Sequence, residues 1–511
     1  DTPTETPTTA TPTETPTVTP TETPTTAEPT ETPTEEPTTV TEEPTPKTPQ
    51  PTTTEPTETP TETPTETPTE TPTETTAAPA AFPSTAAPTA LPTPAPTLLP
   101  TPACVVQRGA DLDGTAAQDQ FGNAVALSAG GNRLAVGAPG ASGGAGSGLA
   151  RVYELVGSSW VQLGADFQGE SVSISLGFSV ALSGDGARVA IGVPGAQFAG
   201  GGGGVSGETR VYDYAAAAWA EYATIPGQAA GDVSGWSAAL SSDGLRLAVG
   251  AIFVNSAAGR VRVFEDDGAG FGQLGDDIDG GTPGDNAGQG LAISGDGYRI
   301  AIGAPRQAVN SFQTGVVRVL EWNASHWVRL GEDLEGETQN DEFGHAVALS
   351  QDGHTVAVGG PGNDENGNDA GHARVFEWKS GQWSQVGTDI DGEAAGKLQG
   401  YAVSLSGDGA RVAVSAYGFN NAAGRVQVYE MEGDWVALAS VAGDQQNDAA
   451  GRSVSLSADG AALAVGIIGA DAGVATGRAR VYGLAACGPT RTRATAGTRL
   501  LARWRAYSTP S

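Results

Sequence analysis

Apolar and polar positions alternate in short runs through residues 103–488, and Gly- and Asp-rich turns separate these runs. Within residues 121–128, for example, Ala124 and Ala126 alternate with Val125 and Leu127. A period of two residues is typical of β-strands, because successive side chains point to opposite faces of a sheet. No helical stretch lies between the runs. The pattern therefore predicts an all-β region.

The arrangement of runs and turns returns about every 51 to 58 residues, in seven copies. Each copy opens on a glycine: Gly122, Gly177, Gly235, Gly288, Gly344, Gly400 and Gly451. The first copy predicts strands at residues 121–128, 134–139 and 150–153 and an outer strand at 160–164. Strand-only repeats near 50 residues are typical of a β-propeller. The sequence thus predicts seven blades of four antiparallel strands.

The phase of the repeats predicts how the ring closes. Residues 105–112 match the outer strand of the other copies, whereas the last copy stops after its third strand at residues 478–482. The seventh blade would then take its outer strand from the start of the domain, which removes an exposed sheet edge. Cys104 and Cys487 flank this seam and are predicted to form a disulfide, the alternative being two unrelated thiols. A disulfide indicates an oxidising, extracellular compartment.

The two ends of the chain differ from the propeller region. Residues 1–102 hold 26 of the 34 prolines, largely in Thr-Pro-Thr-Glu repeats, and predict an extended polyproline II stalk. The stalk resembles mucin-like stalks and the hydroxyproline-rich glycoproteins of plant and algal surfaces, an unmodified acidic linker being the alternative. The resemblance implies O-glycosylation or proline hydroxylation, with candidate positions at Thr59, Pro60, Thr61, Thr63, Pro64, Thr65, Thr67, Pro68 and Thr69. Residues 489–511 form a tail with five arginines and no acid.

The net charge of the chain is −33 at pH 7. A surface this acidic repels nucleic acid and anionic lipid, so we expect no nucleic-acid partner. No segment reaches the roughly 18 apolar residues of a membrane span. The chain starts at Asp1 rather than Met, which indicates a removed N-terminal signal. The predicted location is extracellular or on the cell surface.

The repeats resemble FG-GAP repeats, the units of the integrin α-subunit head, over residues 105–486. The resemblance rests on Phe-Gly at 121–122 and 343–344 and on Gly-Ala-Pro-like turns at 137–139, 303–305 and 359–361. It implies a propeller, whose integrin members often carry calcium loops between the first two strands. Here that connection is a short Gly-Asp-Gly hairpin, too small for six to eight oxygen ligands. No cofactor is therefore expected there.

One loop of the fifth blade is a candidate for calcium. Asp364, Asn366 and Asn368 place oxygen side chains at alternate positions, as at the start of a calcium loop, although no well-placed glutamate follows. An ordinary solvated loop is the alternative interpretation.

The residue after each opening glycine differs in every copy. These seven side chains are predicted to ring one mouth of the central channel: Asn123, Phe178, Trp236, Gln289, His345, Tyr401 and Arg452. A varied, aromatic-rich ring is a candidate ligand-contact surface, and filling of space between blades is the alternative. An aspartate also recurs three residues before several of the glycines, which favours a structural turn bond over five separate active sites.

The sequence shows no constellation typical of catalysis, so we expect no enzyme. The four histidines fall at scattered strand ends and turns, and no Gly-x-Ser-x-Gly elbow is present. Asn323 opens an Asn-Ala-Ser sequon for N-glycosylation in an expected outer hairpin, which agrees with secretion.

Together these features predict a secreted, non-enzymatic structural glycoprotein that self-associates as a subunit of an extracellular filament, appendage or cell-wall layer. The alternative is a cell-surface adhesion or lectin-like receptor that binds a ligand at the propeller mouth. In the first case the arginine tail could dock on an acidic neighbour and propagate a fibre. A solvated or trimmed tail is the competing interpretation.

Overall fold

The computed structural model describes residues 103–141, 146–197, 204–469 and 475–486. The predicted stalk at 1–102, Cys487 and the arginine tail lie outside the described residues. The described residues form seven antiparallel sheets of four principal strands, and the innermost strand of each sheet contacts those of its two neighbours. The predicted all-β, seven-bladed propeller is therefore confirmed.

Two strands, β1 (Ala103–Gln107) and β2 (Leu112–Asp113), precede blade 1. Blade 1 contains β3 (Ala124–Leu127), β4 (Arg133–Ala138), β5 (Leu149–Val156), β6 (Ser159–Gln162) and β7 (Phe167–Gln168). Blade 2 contains β8 (Val180–Leu182), β9 (Arg188–Val193), β10 (Glu208–Ala215) and β11 (Ala218–Pro226). Blade 3 contains β12 (Ser234–Leu240), β13 (Arg246–Ala251), the helical turn α1 (Val254–Ala257), β14 (Arg260–Asp266), β15 (Phe271–Gln273) and β16 (Ile278–Asp279).

Blade 4 contains β17 (Leu291–Ile293), β18 (Arg299–Ala304), a small hairpin of β19 (Ala308–Val309) and β20 (Phe312–Gln313), then β21 (Val316–Trp322), β22 (Trp327–Arg329) and β23 (Leu334–Glu335). Blade 5 contains β24 (Ala346–Leu349), β25 (Thr355–Gly360), β26 (His372–Lys379), β27 (Gln382–Gln385) and β28 (Ile390–Asp391). Blade 6 contains β29 (Gln399–Leu405), β30 (Arg411–Ala416), the turn α2 (Phe419–Ala422), β31 (Arg425–Met431) and β32 (Trp435–Ala442). Blade 7 contains β33 (Ala450–Leu456), β34 (Ala462–Ile467) and β35 (Arg478–Ala486).

The two ends of the propeller sequence meet in blade 7. Strand β1 pairs antiparallel with β35, with Val105 opposite Leu484, so the first strand of the domain is the fourth strand of its last blade. Strand β2 pairs with the beginning of β35. This non-local pairing covers the edge of β35, which would otherwise present unpaired backbone groups.

Ion pairs reinforce this closing seam. Arg480 binds Asp111 through two hydrogen bonds of 2.8 and 2.9 Å, and its Nη2 atom also lies 2.5 Å from Asp444. The hydrogen bond from Arg480 lowers the pKa of Asp444, while partial burial opposes this effect. For Asp111, burial raises the pKa, but the bonds from Arg480 and Gln107 outweigh it and the net shift is downward.

The lowered pKa values predict that acid weakens the seam. The two ionised carboxylates stabilise the folded state above the usual carboxyl pKa. This stabilisation is lost as the pH falls through their lowered pKa values in the folded protein. Because Asp444 is exposed and Asp111 is only partly buried, solvent screening limits the contribution of each to below about 1 kcal/mol at neutral pH. We expect Asp444→Asn to flatten the dependence of unfolding free energy on pH between about pH 5 and pH 2. An unchanged pH profile in urea titrations would contradict this account.

A ring of backbone hydrogen bonds joins the blades near the axis, in the turns that connect the first and second strands. Each amide donates to the carbonyl of the next blade, and the seventh returns to the first, at 2.8–2.9 Å. The residues in order are Ala129, Gly184, Ser242, Gly295, Gln351, Gly407 and Ala458. The circuit closes the ring independently of any side chain.

Glycines allow the blades to approach one another closely. All seven opening glycines have φ between +85° and +94°, a conformation that other residues rarely adopt. The glycine of the second strand then packs against the next blade: a Cβ on Gly359 would lie only 1.9 Å from the carbonyl oxygen of Gly400. Blade 6 differs because Ser415 occupies this position, where its buried Oγ accepts a bond of 2.9 Å from the amide of Ala402.

Five outer-strand tryptophans connect neighbouring blades. Their indole Nε1 donates to a carbonyl of the preceding blade at 2.6–2.9 Å: Trp160 to Arg108, Trp219 to Leu163, Trp327 to Leu274, Trp383 to Leu330 and Trp435 to Val386. The residue after each carbonyl is a glycine with positive φ: Gly109, Gly164, Gly275, Gly331 and Gly387. A Cβ on these glycines would lie 2.7–3.1 Å from the tryptophan Cδ1. Each tryptophan therefore requires its glycine.

Two blades lack this glycine, and the blades that follow them lack the tryptophan. Ala223 and Ala439 occupy the position in blades 2 and 6, and Phe271 and Val105 replace the tryptophan in blades 3 and 7. With alanine the outer strand runs unbroken through a bulge, as β11 and β32. With glycine it splits, so the strand predicted over 160–164 ends at Gln162 and resumes as β7.

Candidate functional site

The seven side chains predicted at one channel mouth form a nearly continuous chain of contacts. Six of the seven neighbouring pairs around the axis are joined by a hydrogen bond or a contact between rings. The contacts run from Gln289 through His345, Tyr401, Arg452 and Asn123 to Phe178 and Trp236. None of the seven is fully exposed, and Asn123 is buried. We call these seven residues the mouth ring.

The polar atoms of the mouth ring are bonded mainly to one another. Asn123 donates through Nδ2 to the carbonyl of Phe178 at 2.9 Å and accepts through Oδ1 from Arg452 Nε at 3.1 Å. Arg452 also donates to the Tyr401 hydroxyl. Gln289 Nε2 lies 3.0 Å from His345 Nδ1. These bonds fix Asn123, Arg452 and Tyr401 relative to one another.

A ring of aliphatic side chains lies near the opposite mouth of the channel. Each blade contributes one aliphatic side chain from the end of its first strand: Leu127, Leu182, Leu240, Ile293, Leu349, Leu405 and Leu456. They line a cavity of about 150 Å³ beside the ring of backbone bonds. The cavity is small and lies where the seven blades pack around the axis, so packing of the blades accounts for it.

The recurring aspartates hold turns. Asp119, Asp232, Asp285, Asp341 and Asp448 each accept a backbone amide three or four residues earlier, at 2.6–2.9 Å. These bonds are the side-chain-to-backbone turn bonds that the repetition indicates.

Two further predicted positions lie in exposed loops. Asn323 is exposed in the turn between β21 and β22, and its Oδ1 accepts from Ser325 and His326. In the predicted calcium loop, Asp364 Oδ1 accepts the amide of Asp369 at 2.8 Å. Asn368 donates to the Asp369 carboxylate at 2.6 Å. The side chains of Asp364 and Asn368 thus bond within their own loop.

A cluster of carboxylates lies beside that loop, in a cleft of blade 5. The open cleft has a volume of about 630 Å³, and its acidic lining residues are Glu337, Glu365, Asp389 and Asp391. Among the described residues, two triads of side chains could hold a metal ion, and they share Asp389. One is Glu337–His372–Asp389 and the other is Glu365–Asp389–Asp391.

His372 is the buried member of this cluster. Its side chain is 0% exposed, and neither ring nitrogen has a hydrogen-bond partner. Its Nδ1 atom lies 3.6 Å from Asp389 Oδ2 and 3.8 Å from Glu337 Oε2, too far for ordinary hydrogen bonds. Gly360 faces His372 across the sheet, and a Cβ there would lie 2.8 Å from the ring Nε2. The missing side chain makes room for the imidazole.

The charges of the cleft shift the pKa values of its carboxyls in opposite directions. Burial raises the pKa of Asp391, and the negative charges of Glu365 and Asp389 add to this effect. The neighbouring His372 lowers the pKa of Asp389 against the effect of burial, with help from Gln385 and Arg374. One carboxyl is therefore crowded by like charge while its neighbour is stabilised as the anion.

Sequence reasoning missed this cluster, although the repeats contain a signal for it. The position of Gly360 carries Ala, Val or Ile in the other blades, and the position of His372 carries Leu, Val, Glu or Arg. A simultaneous change to glycine and histidine at two cross-strand positions of one blade marks a local function or constraint. To see that the two positions face each other, one needs the pairing register of β25 and β26. The sequence repeats alone define this register only to within a few residues.

No helix within the described ranges is both long and apolar enough to cross a membrane.

Comparison with known proteins finds a match for one segment of the chain. Residues 336–376, which include the end of the blade 4 to blade 5 connection and most of blade 5, match the FG-GAP repeat. No curated protein sequence matches the chain significantly. Among solved structures, hydrazine synthase of Kuenenia stuttgartiensis is similar with a TM-score of 0.47 and 15% identity, over 69% of this chain and 93% of that one.

Proposed function

We propose, from a seven-bladed propeller that contains an FG-GAP repeat, that the chain is an extracellular structural glycoprotein without enzymatic activity. Such propellers are typical of extracellular and cell-surface proteins. The propeller serves as a rigid head, and the Thr-Pro-Thr-Glu segment at 1–102 serves as a glycosylated stalk that assembles into a filament or wall layer.

The observation that carries the proposal is the internal bonding of the mouth ring. A receptor that binds its ligand at the mouth needs side chains with free donors and acceptors. Here Asn123 and Arg452 are bonded within the ring, and the aromatic side chains pack on one another. Side chains that already bond and pack on one another support a structural role over the lectin-like alternative.

Electron microscopy of the full secreted chain tests this proposal. We expect filaments or sheets of propeller heads, and an intact mass above the 51.3 kDa of the polypeptide by many sugar units. A matched chain that lacks residues 1–102 but retains β1 should remain a single head, because it lacks the stalk. Unmodified, monodisperse full-length protein would contradict the proposal.

The same preparation decides the alternative. A receptor would retain a surface glycan or peptide from its source, and Trp236→Ala would abolish retention by removing an aromatic contact of the mouth ring. That outcome would replace the structural role with binding.

A further inference from the structure

The acidic cleft of blade 5 differs from equivalent places in the other blades by the loss of an arginine. Blades 3, 5 and 7 share an Asp-x-Asp pair beside the first residue of the third strand. In blade 7, Arg478 at that residue reaches Asp113 at 2.7 Å and Asp111 at 3.1 Å. In blade 3, Arg260 reaches Asp279 at 2.6 Å and Asp277 at 2.7 Å.

Blade 5 keeps the acids but replaces the guanidinium with an imidazole. Asp389 and Asp391 form its Asp-x-Asp pair, and His372 begins the third strand. The shorter side chain stops 3.6 Å from Asp389, and a buried oxygen of Asp391 has no hydrogen-bond partner. The positive charge that bridges these carboxylates in blades 3 and 7 is therefore missing here.

A second acid faces the same gap. Glu337 occupies the position seven residues before the opening glycine, and Glu393 occupies it in blade 6, where Arg425 pairs with it at 2.9 Å. In blade 5 the position of Arg425 is occupied by His372. Its Nδ1 atom lies 3.8 Å from Glu337 Oε2. The imidazole thus faces two carboxylates without contacting either directly.

The spacing of these atoms fits a bound ion better than a direct contact. Two ligands of a tetrahedral ion with bonds of about 2.0–2.1 Å lie about 3.3 Å apart. The separations of 3.6 and 3.8 Å are close to this value and clearly longer than a hydrogen bond. A buried imidazole with both nitrogens unpaired is costly unless it gains a partner, and a cation on Nδ1 supplies one.

One basic residue beside the cluster, Arg374, already makes hydrogen bonds to another side chain. Arg374 donates to Gln385 Oε1 at 3.1 and 2.8 Å. It lies 3.5 Å from Glu337 and 3.8 Å from Asp389. In blades 1 and 7 the equivalent arginine instead donates two hydrogen bonds of 2.8–2.9 Å to the equivalent aspartate. These pairs are Arg151 with Asp166 and Arg480 with Asp111. Asp389 Oδ2, the oxygen that faces His372, therefore lies 3.8 Å from Arg374 Nε and accepts no hydrogen bond from it.

We propose that His372 Nδ1, Glu337 and Asp389 bind one divalent ion of the zinc type at this cleft. Imidazole nitrogen favours zinc and related transition ions, whereas calcium takes oxygen ligands alone. Three protein ligands leave a fourth position towards the open cleft, where water or Glu365 completes the coordination. The ion ties the connection from blade 4, which carries Glu337, to the strands of blade 5.

Zinc titration of the chelator-treated full chain by calorimetry tests the proposal. We expect one saturable site, a higher melting temperature with zinc, and much weaker binding of calcium. His372→Leu is expected to weaken zinc binding by about 100-fold or more, and Glu337→Gln by about 10-fold or more. Leucine occurs naturally at the first residue of the third strand in blade 1, which favours a folded variant.

Two matched controls locate the site. His354→Asn removes an exposed histidine in a turn, and Asp364→Asn removes an acid of the neighbouring loop. Both variants should bind zinc as the unchanged chain does. If His372→Leu fails to fold, the exposed Glu337→Gln decides. Absence of saturable binding, equal affinity for calcium, or loss of zinc only in a control variant would each overturn the proposal.

Discussion

Replacing Gly359 by alanine is expected to destabilise the propeller by about 3 kcal/mol or more. The added Cβ would lie 1.9 Å from the carbonyl oxygen of Gly400, which belongs to the backbone of the next blade. A backbone atom cannot move aside as a flexible side chain can, so blades 5 and 6 would have to separate. The shift of the urea unfolding midpoint measures the effect.

Gly272→Ala is the matched control for this substitution. Gly272 also lies in a strand, but nothing lies within 4 Å of its added Cβ and its φ is not positive. We expect its unfolding free energy to change by less than about 0.5 kcal/mol. Equal effects of the two substitutions would show that blade contact is not what the second-strand glycine provides.

Removing residues 1–113 is expected to abolish a stable closed ring. The deletion removes β1 and β2, exposes the edge of β35 and uncovers Leu484, which is 5% exposed in the intact blade. It also removes Asp111 from Arg480 at the seam. An exposed strand edge beside buried apolar side chains promotes association, so soluble protein should fall several-fold and unfolding should lose cooperativity.

A shorter deletion separates closure from the loss of the stalk. Removal of residues 1–102 leaves β1 in place, so the melting temperature of the propeller should stay close to that of the full chain. A synthetic peptide of residues 103–113 should restore part of the stability of the longer deletion by adding the missing strands. Equal behaviour of the two deletions, measured by calorimetry and gel filtration, would refute the role of β1.

The fold could be predicted because the strand pattern of one blade is repeated seven times in the sequence. Alternation in 121–128 identifies the innermost strand, and the phase of residues 105–112 places the outer strand of blade 7. Local detail depended on contacts between blades, which a single repeat does not reveal. The split of the outer strand at Gly164, for example, follows from its positive φ and from Trp219 of the next blade.

The mouth ring was predictable in position, whereas the acidic cleft was not predictable. Residues after the opening glycines share one place in each blade, so their clustering follows from symmetry. The cleft instead combines the blade 4 to blade 5 connection with the third and fourth strands, through Glu337, His372 and Asp389. These residues are 17 or more positions apart in the sequence, and only the strand register brings them together.

The paired glycine and tryptophan also make the blade junctions unequal. The pair is absent where blade 3 follows blade 2 and where blade 7 follows blade 6, because alanine stands at the glycine position and Phe271 or Val105 at the tryptophan position. Near-identical repeats otherwise invite shuffled assembly and exchange of blades between chains. The two junctions without the pair therefore differ from the other five in the contact that each blade offers to the next.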